Sequence, residues 1–141
     1  MALDRNLLEL HYTQTHYVLL LGSERITFRI GQHEPAQDKI LRERCGVTQH
    51  WSLLTPYNPG SETADEDVNH VALMRLRRDL ERAELRHFKT VNQSPEGEWL
   101  ELGFLIADAE PSLIRSLARH YRQNAFVEAA LGEAPKLVWL V

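Results

Sequence analysis

The stretch LLTPYNPGSETADEDVNHVALMRLRRDL, residues 53–80, combines an apolar start, a polar break and a long helical pattern. The break, residues 57–62, contains Asn58, Pro59 and Gly60, which are typical of a turn. Beyond it, apolar side chains recur at helical spacing and form one stripe: Val68, Ala72, Leu76, Leu80 and Ala83. A strand, a loop and a helix in this order predict a sheet with packed helices, and such sheets bind ligands where their strands end.

The rest of the chain continues this alternation of strands and helices. Helices are predicted over residues 4–12, 35–45, from the polar break to about residue 85, and 111–123. Strands are predicted over residues 15–21, 25–30, 50–57, 87–93 and 99–108, with two more within residues 124–141. The element order is αββαβαββαββ, which predicts a single domain, residues 1–141, of the α/β (α+β) class with a mixed β-sheet and packed helices.

Composition and charge exclude several classes of protein. Hydrophobic residues make up 43% of the chain and charged residues 26%, as is usual for soluble globular domains. The net charge of −4 disfavours a nucleic-acid partner, and the apolar run YVLLL is too short to cross a bilayer. The one cysteine, Cys45, cannot form an internal disulfide, and the first residues, with Asp4, Arg5 and Glu9, do not resemble a secretory signal. We therefore expect a cytoplasmic protein with no membrane partner, metal or cofactor.

Two polar side chains interrupt apolar patterns. Asn69 falls within the stripe of the long helix, where a buried amide needs hydrogen bonds; it either fixes the adjacent loop or helps to hold a ligand. Glu101 lies on a strand that is apolar on both faces, so its carboxylate needs an arginine partner, an edge position or a functional role. Gly103, two residues further on the same face, is expected to leave open space beside Glu101.

Gln123 and Asn124 form a third polar group, at the junction of the last helix and the next strand. Asn124 is either the C-cap of that helix or, with Gln123, part of the same polar region as Asn69. If these segments converge, they form a cleft with six candidate ligand-binding residues and no defined catalytic residue. The six are Tyr57, Asn58, Asn69, Glu101, Gln123 and Asn124.

In order and spacing, these segments resemble a bacterial family, the domain of unknown function 3293. The resemblance rests on FRIG at residues 28–31, LLTPYNPGSE at 53–62, WLELGFLIAD at 99–108 and LARHYRQNAFV at 117–127. The residues that match the family pattern are Thr55, Tyr57, Asn58, Pro59, Asn69, Trp99, Glu101, Gln123, Asn124 and Ala125. The resemblance extends from about residue 12 to residue 141, and it implies no activity because the family has none assigned.

Three functions are compatible with these residues. The first is a domain that binds a small polar molecule in the cleft, where amides fix its orientation and Glu101 accepts a hydrogen bond. The second is a protein-interaction domain in which the polar residues are structural glue. The third and least favoured is a hydrolase or transferase with Glu101 as general base. The sequence does not decide whether the protein is an enzyme, and it defines no oligomeric state.

Overall fold

Four helices and seven strands make up residues 4–141, the part of the chain that the computed structural model describes. The helices are α1 (Arg5–Gln14), α2 (Pro35–Cys45), α3 (Glu66–Arg82) and α4 (Pro111–His120). The strands are β1 (His16–Leu21), β2 (Glu24–Phe28), β3 (His50–Leu54), β4 (His87–Gln93), β5 (Leu100–Ala107), β6 (Ala125–Ala130) and β7 (Lys136–Trp139). A short 3₁₀ turn, Pro59–Ser61, separates β3 from α3. The predicted class and element order are confirmed.

The strands form one sheet in the order β2-β1-β4-β5-β3-β6-β7, and every pair in it is antiparallel. The expectation of a mixed sheet is therefore corrected. The crossovers through α3 (β3 to β4) and α4 (β5 to β6) do join strands that run in the same direction. The two strands of each crossover are not neighbours, however, because one antiparallel strand lies between them. β5 lies between β3 and β4, and β3 lies between β5 and β6. This β3-to-β6 core has the ferredoxin-like, split βαβ arrangement.

Helices cover both faces of the sheet. On one face, Leu41 and Cys45 of α2 pack on strand residues that include Trp51. On the other face, Leu76 of α3 and Ile114 of α4 pack against the sheet, and both are fully buried. Each such side chain stabilises the fold by about 1.5–3 kcal/mol when it leaves water. α1 differs from the other helices, because none of its residues is buried.

The buried face of α3 corrects the predicted stripe. Val68 is 54% exposed, whereas Asn69, Leu73, Leu76 and Leu80 face the core. These four positions have the i, i+4, i+7, i+11 spacing of a single helix face, and three of them carry leucine. The larger leucines therefore set the orientation of the helix. As a result Asn69, only 3% exposed, enters the core at the end of α3 that is nearest the 3₁₀ turn.

Gly103 does not leave open space beside Glu101, and that expectation is wrong. A Cβ atom at Gly103 would lie 2.4 Å from the carbonyl oxygen of Leu54 and 3.1 Å from Cα of Thr55. The backbone that leaves β3 occupies the space, and Thr55 Oγ1 donates a 2.7 Å hydrogen bond to the Leu102 carbonyl beside it. The missing side chain thus lets the loop after β3 approach β5 closely.

Gly103→Ala is expected to lower the free energy of unfolding by about 2–3 kcal/mol, because backbone must move to admit the methyl group. Lys89→Ala, at an exposed position on the neighbouring β4, is the control and should change it by less than about 0.5 kcal/mol. Urea denaturation of both variants measures the difference. Equal free energies of unfolding for the two variants would contradict the close approach of the loop after β3 to Gly103 of β5.

Candidate ligand-binding cleft

The loop after β3 is a fixed corner of backbone and not a free turn. Thr55 Oγ1 donates a hydrogen bond to the Leu102 carbonyl of β5, and it also accepts a 3.1 Å hydrogen bond from the backbone N–H of Tyr57. Further along, the Gly60 N–H donates to the Arg122 carbonyl at 2.7 Å. Asn58 has a left-handed backbone with φ of 48°, a conformation that asparagine tolerates better than most residues. The loop is therefore held from β5 and from the segment that follows α4.

Asn58 is the centre of the polar cluster, and each of its nitrogen and oxygen atoms makes at least one hydrogen bond. Its backbone N–H donates to Asn69 Oδ1 at 2.9 Å, and its Nδ2 donates to Glu101 Oε2 at 2.7 Å. Its Oδ1 accepts hydrogen bonds from Asn69 Nδ2 at 2.9 Å and from the Ala64 N–H at 3.1 Å. One side chain thus joins the loop, α3 and β5, and it brings Asn69 and Glu101 together.

Glu101 is a half-buried carboxylate on an interior strand. It has neither the edge position nor the arginine partner considered above, since no ion pair involves it within residues 4–141. Burial raises the pKa of Glu101, and the hydrogen bond from Asn58 acts in the opposite direction with a smaller effect. Because Asn58 occupies Oε2, the other carboxylate oxygen remains available to a donor.

Gln123 and Asn124 hold the loop from the opposite side. Gln123 Nε2 donates to the carbonyl oxygens of Tyr57 at 3.0 Å and Tyr121 at 3.2 Å. Asn124 Nδ2 donates to Ser61 Oγ at 2.7 Å. The interpretation of Asn124 as a helix C-cap is wrong, because α4 ends at His120 and the backbone has already turned away.

A cavity of about 460 Å³ lies where the loop, the sheet and α1 meet. Four of the six candidate residues line it: Tyr57, Asn58, Glu101 and Gln123. Asn69 and Asn124 are not among the lining residues; each holds a loop residue in place. The six side chains therefore lie close together, but they divide into a lining set and a supporting set.

Sequence reasoning missed Asn92, which also lines the cavity. It pairs directly with Glu101 across the β4–β5 hairpin, and it is only 7% exposed. Its Oδ1 is buried and has no hydrogen-bond partner among the described residues. The hairpin register contained the signal, because folding the chain at the Ser94–Gly97 turn places residues 92 and 101 side by side.

α1 forms the remaining wall of the cavity through Leu8, His11 and Tyr12. The His11 ring stacks on Trp99 with centroids 4.7 Å apart, and burial lowers the pKa of His11. Tyr12 meets Trp139 edge to face at 5.8 Å. Aromatic contacts of this kind contribute roughly 0.5–1.5 kcal/mol each, so a few modest interactions hold the helix over the cleft.

Residues 4–141 contain neither a metal-binding cluster nor a helix able to span a membrane. Among residues 4–141, no three His, Cys, Asp or Glu side chains are grouped so that they could hold a metal ion. None of the helices in the same residues has both the length and the apolar character needed to cross a bilayer.

Fold and site together define an α/β domain with a ferredoxin-like core and a cleft, lined in part by polar side chains, at one end of its sheet. The family model described as "Protein of unknown function (DUF3293)" matches residues 54–126, just over half of the chain. The chain belongs to this family, as its sequence pattern suggested, although the match is narrower than the resemblance from about residue 12. Comparison with curated proteins and with solved structures gives no significant match.

Asn69→Ala is expected to destabilise the protein by about 1–3 kcal/mol, because the partly buried Asn58 N–H loses its acceptor. His70→Ala, at the exposed neighbouring position of α3, is the matched control and should be close to neutral. Chemical denaturation gives the two values. An Asn69→Ala variant as stable as the control would show that the cluster does not fix the loop.

Glu101→Gln is expected to be more stable than the unmodified protein at neutral pH. A carboxyl group whose folded-state pKa is raised binds protons more tightly when folded, so stability falls as pH rises from 4.5 through the folded pKa. The neighbouring phenols of Tyr12, Tyr17 and Tyr57 also have raised pKa values and stay neutral in this range. Denaturation of both proteins between pH 4.5 and 8 measures the difference, which should grow with pH. A difference that shrinks with pH would contradict the raised pKa.

Proposed function

We propose that this protein binds a small polar ligand in the cleft between the loop after β3, the sheet and α1. The observation that carries the proposal is the unpaired Asn92 Oδ1, buried in the wall of the cavity beside Glu101. A buried carbonyl oxygen without a donor costs about 1–3 kcal/mol, and native proteins contain few such groups. A ligand that donates to Asn92 would recover this energy.

Size and lining support the same conclusion. The volume of about 460 Å³ falls in the range of small-molecule sites, which are mostly apolar with a few well-placed polar groups. Here Leu53, Phe126 and Val127 supply apolar wall, while Glu101 and Gln123 supply polar groups. The supporting hydrogen bonds fix the lining side chains before a ligand arrives, which lowers the entropy cost of binding.

The alternative, an interaction domain with a purely structural cluster, accounts for only part of the site. It explains Asn58, Asn69 and Asn124, whose bonds tie the loop to its surroundings. It offers no reason for a buried Asn92 Oδ1 without a partner or for a carboxylate beside a cavity. We therefore assign Asn69 and Asn124 to support and Glu101 and Asn92 to recognition, while Asn58 and Gln123 line the cavity and also hold the loop.

A thermal-shift screen against a metabolite library tests the proposal. A ligand present at one hundred times its Kd should stabilise the protein by about 2.7 kcal/mol. The shift should be lost or reduced in Glu101→Gln, which removes the charge while keeping an acceptor for Asn58. Glu98→Gln removes an exposed carboxylate three residues away, outside the cavity lining, and should retain the shift.

Thr63→Trp provides a second test, because Thr63 is an exposed residue of the cavity lining and a bulky side chain there should obstruct entry. Compounds that stabilise the Trp variant as well as the unmodified protein bind elsewhere. If every stabilising compound behaves in that way, or if no compound in the library stabilises the protein, the proposed function fails.

A further inference from the structure

The charge of the cavity restricts the kind of ligand that it can hold. Among the described residues that line it, Glu101 is the sole acidic side chain, and none is lysine or arginine. His11 adds no positive charge at neutral pH, because burial lowers its pKa. An anionic ligand would therefore bring a second negative charge to a partly buried carboxylate with no cation to offset it, which is unfavourable.

The hydrogen-bonding groups point to a ligand with several N–H donors. Asn92 and Glu101 are direct cross-strand partners, so their side chains start roughly 4.5–5.5 Å apart on one face of the sheet. Asn92 Oδ1 has no donor, and Asn58 occupies only one Glu101 oxygen. Two neighbouring acceptors suit a group with two or more N–H bonds on one nitrogen or on adjacent nitrogens.

The aromatic wall suits a positively charged group with an organic body. Trp99 lines the cavity with its ring stacked on His11, and Tyr12 and Tyr57 lie in the same lining. The faces of such rings attract cations by about 0.5–2 kcal/mol, more strongly as water is excluded. Outside the cavity, Glu62 and Asp65 belong to an acidic segment next to the lining residue Thr63, and this segment raises the local concentration of cations.

We propose that the ligand is an organic cation whose ammonium or amidinium N–H groups bridge Glu101 and Asn92, with its carbon skeleton against Trp99. This inference rests on the proposed function, since it names the chemical class of the ligand for the same cleft. It distinguishes primary amines and amidines from quaternary ammonium compounds, which have charge but no N–H donor for Asn92.

Four probes of similar size test the assignment: benzamidine and benzylamine as cations, benzamide as a neutral N–H donor, and benzoate as an anion. Binding is followed by NMR through the three indole N–H signals, assigned by Trp→Phe substitution. The Trp99 signal should shift with the cations, while Trp51, which is in the core and outside the cavity lining, should not. The cations should bind at least about tenfold more tightly than benzamide, a difference of 1.4 kcal/mol.

Two variants locate the charge that selects the ligand. Glu101→Gln should weaken benzamidine binding at least about tenfold, whereas Glu98→Gln, with the same change in net charge, should leave it unaltered. The NMR spectrum of each variant also shows that it is folded. Equal weakening by both variants would mean that only the overall field matters, and it would overturn the inference.

The other outcomes separate this inference from the proposed function. If benzamide or benzoate shifts the Trp99 signal as strongly as the cations do, the cleft is a binding site, but the inference that it selects cations is wrong. If neither cation shifts Trp99 while a neutral library compound binds in a Thr63→Trp-sensitive manner, the inference alone fails. If no probe and no library compound binds in the cleft, both fail.

Discussion

The hydrogen bonds of Asn58 are the constraint on which the site depends. Asn58 has a left-handed backbone, and four hydrogen bonds connect it to Asn69 of α3, to Glu101 of β5 and to the N–H of Ala64. Aspartate in its place would lose the donor that faces Glu101, and a leucine would leave partly buried groups of Asn69, Ala64 and Glu101 without partners. An asparagine amide supplies a donor and an acceptor in one plane, so the loop geometry, the helix entry and the position of the carboxylate are fixed together.

Much of the architecture could be predicted because local patterns and packing agree. The alternation in β2, the prolines at the starts of α2 and α4, and the turn residues between β4 and β5 each define an element without tertiary information. The polar candidates could be found for a related reason. Asn69 and Glu101 occupy positions where the pattern requires apolar residues, and a buried polar group must have a partner.

The predictions about Gly103 and about a mixed sheet were wrong because both depend on contacts between segments that are remote in sequence. Gly103 looked like a gap because its own strand does not reveal that the Leu54 carbonyl lies against it. The sheet was expected to be mixed because helical crossovers favour parallel pairs, but the strand that fills each gap is specified elsewhere in the chain. Asn92 was missed because an asparagine near the end of the partly polar strand HFKTVNQ does not interrupt an apolar pattern. Only its pairing with Glu101 places it in the cleft.

The position of β3 has a consequence for how the protein folds. Leu53 pairs with Leu105 on one side and with Val127 on the other, so this interior strand contacts segments that are distant along the chain. Such a topology has a high contact order, and closing these long loops costs entropy before any strand pairing compensates for it. During synthesis β3 must wait for β6 (Ala125–Ala130) before both of its edges are covered. We therefore expect folding on the millisecond-to-second scale, with the sheet completed only when both β6 and β7 have left the ribosome.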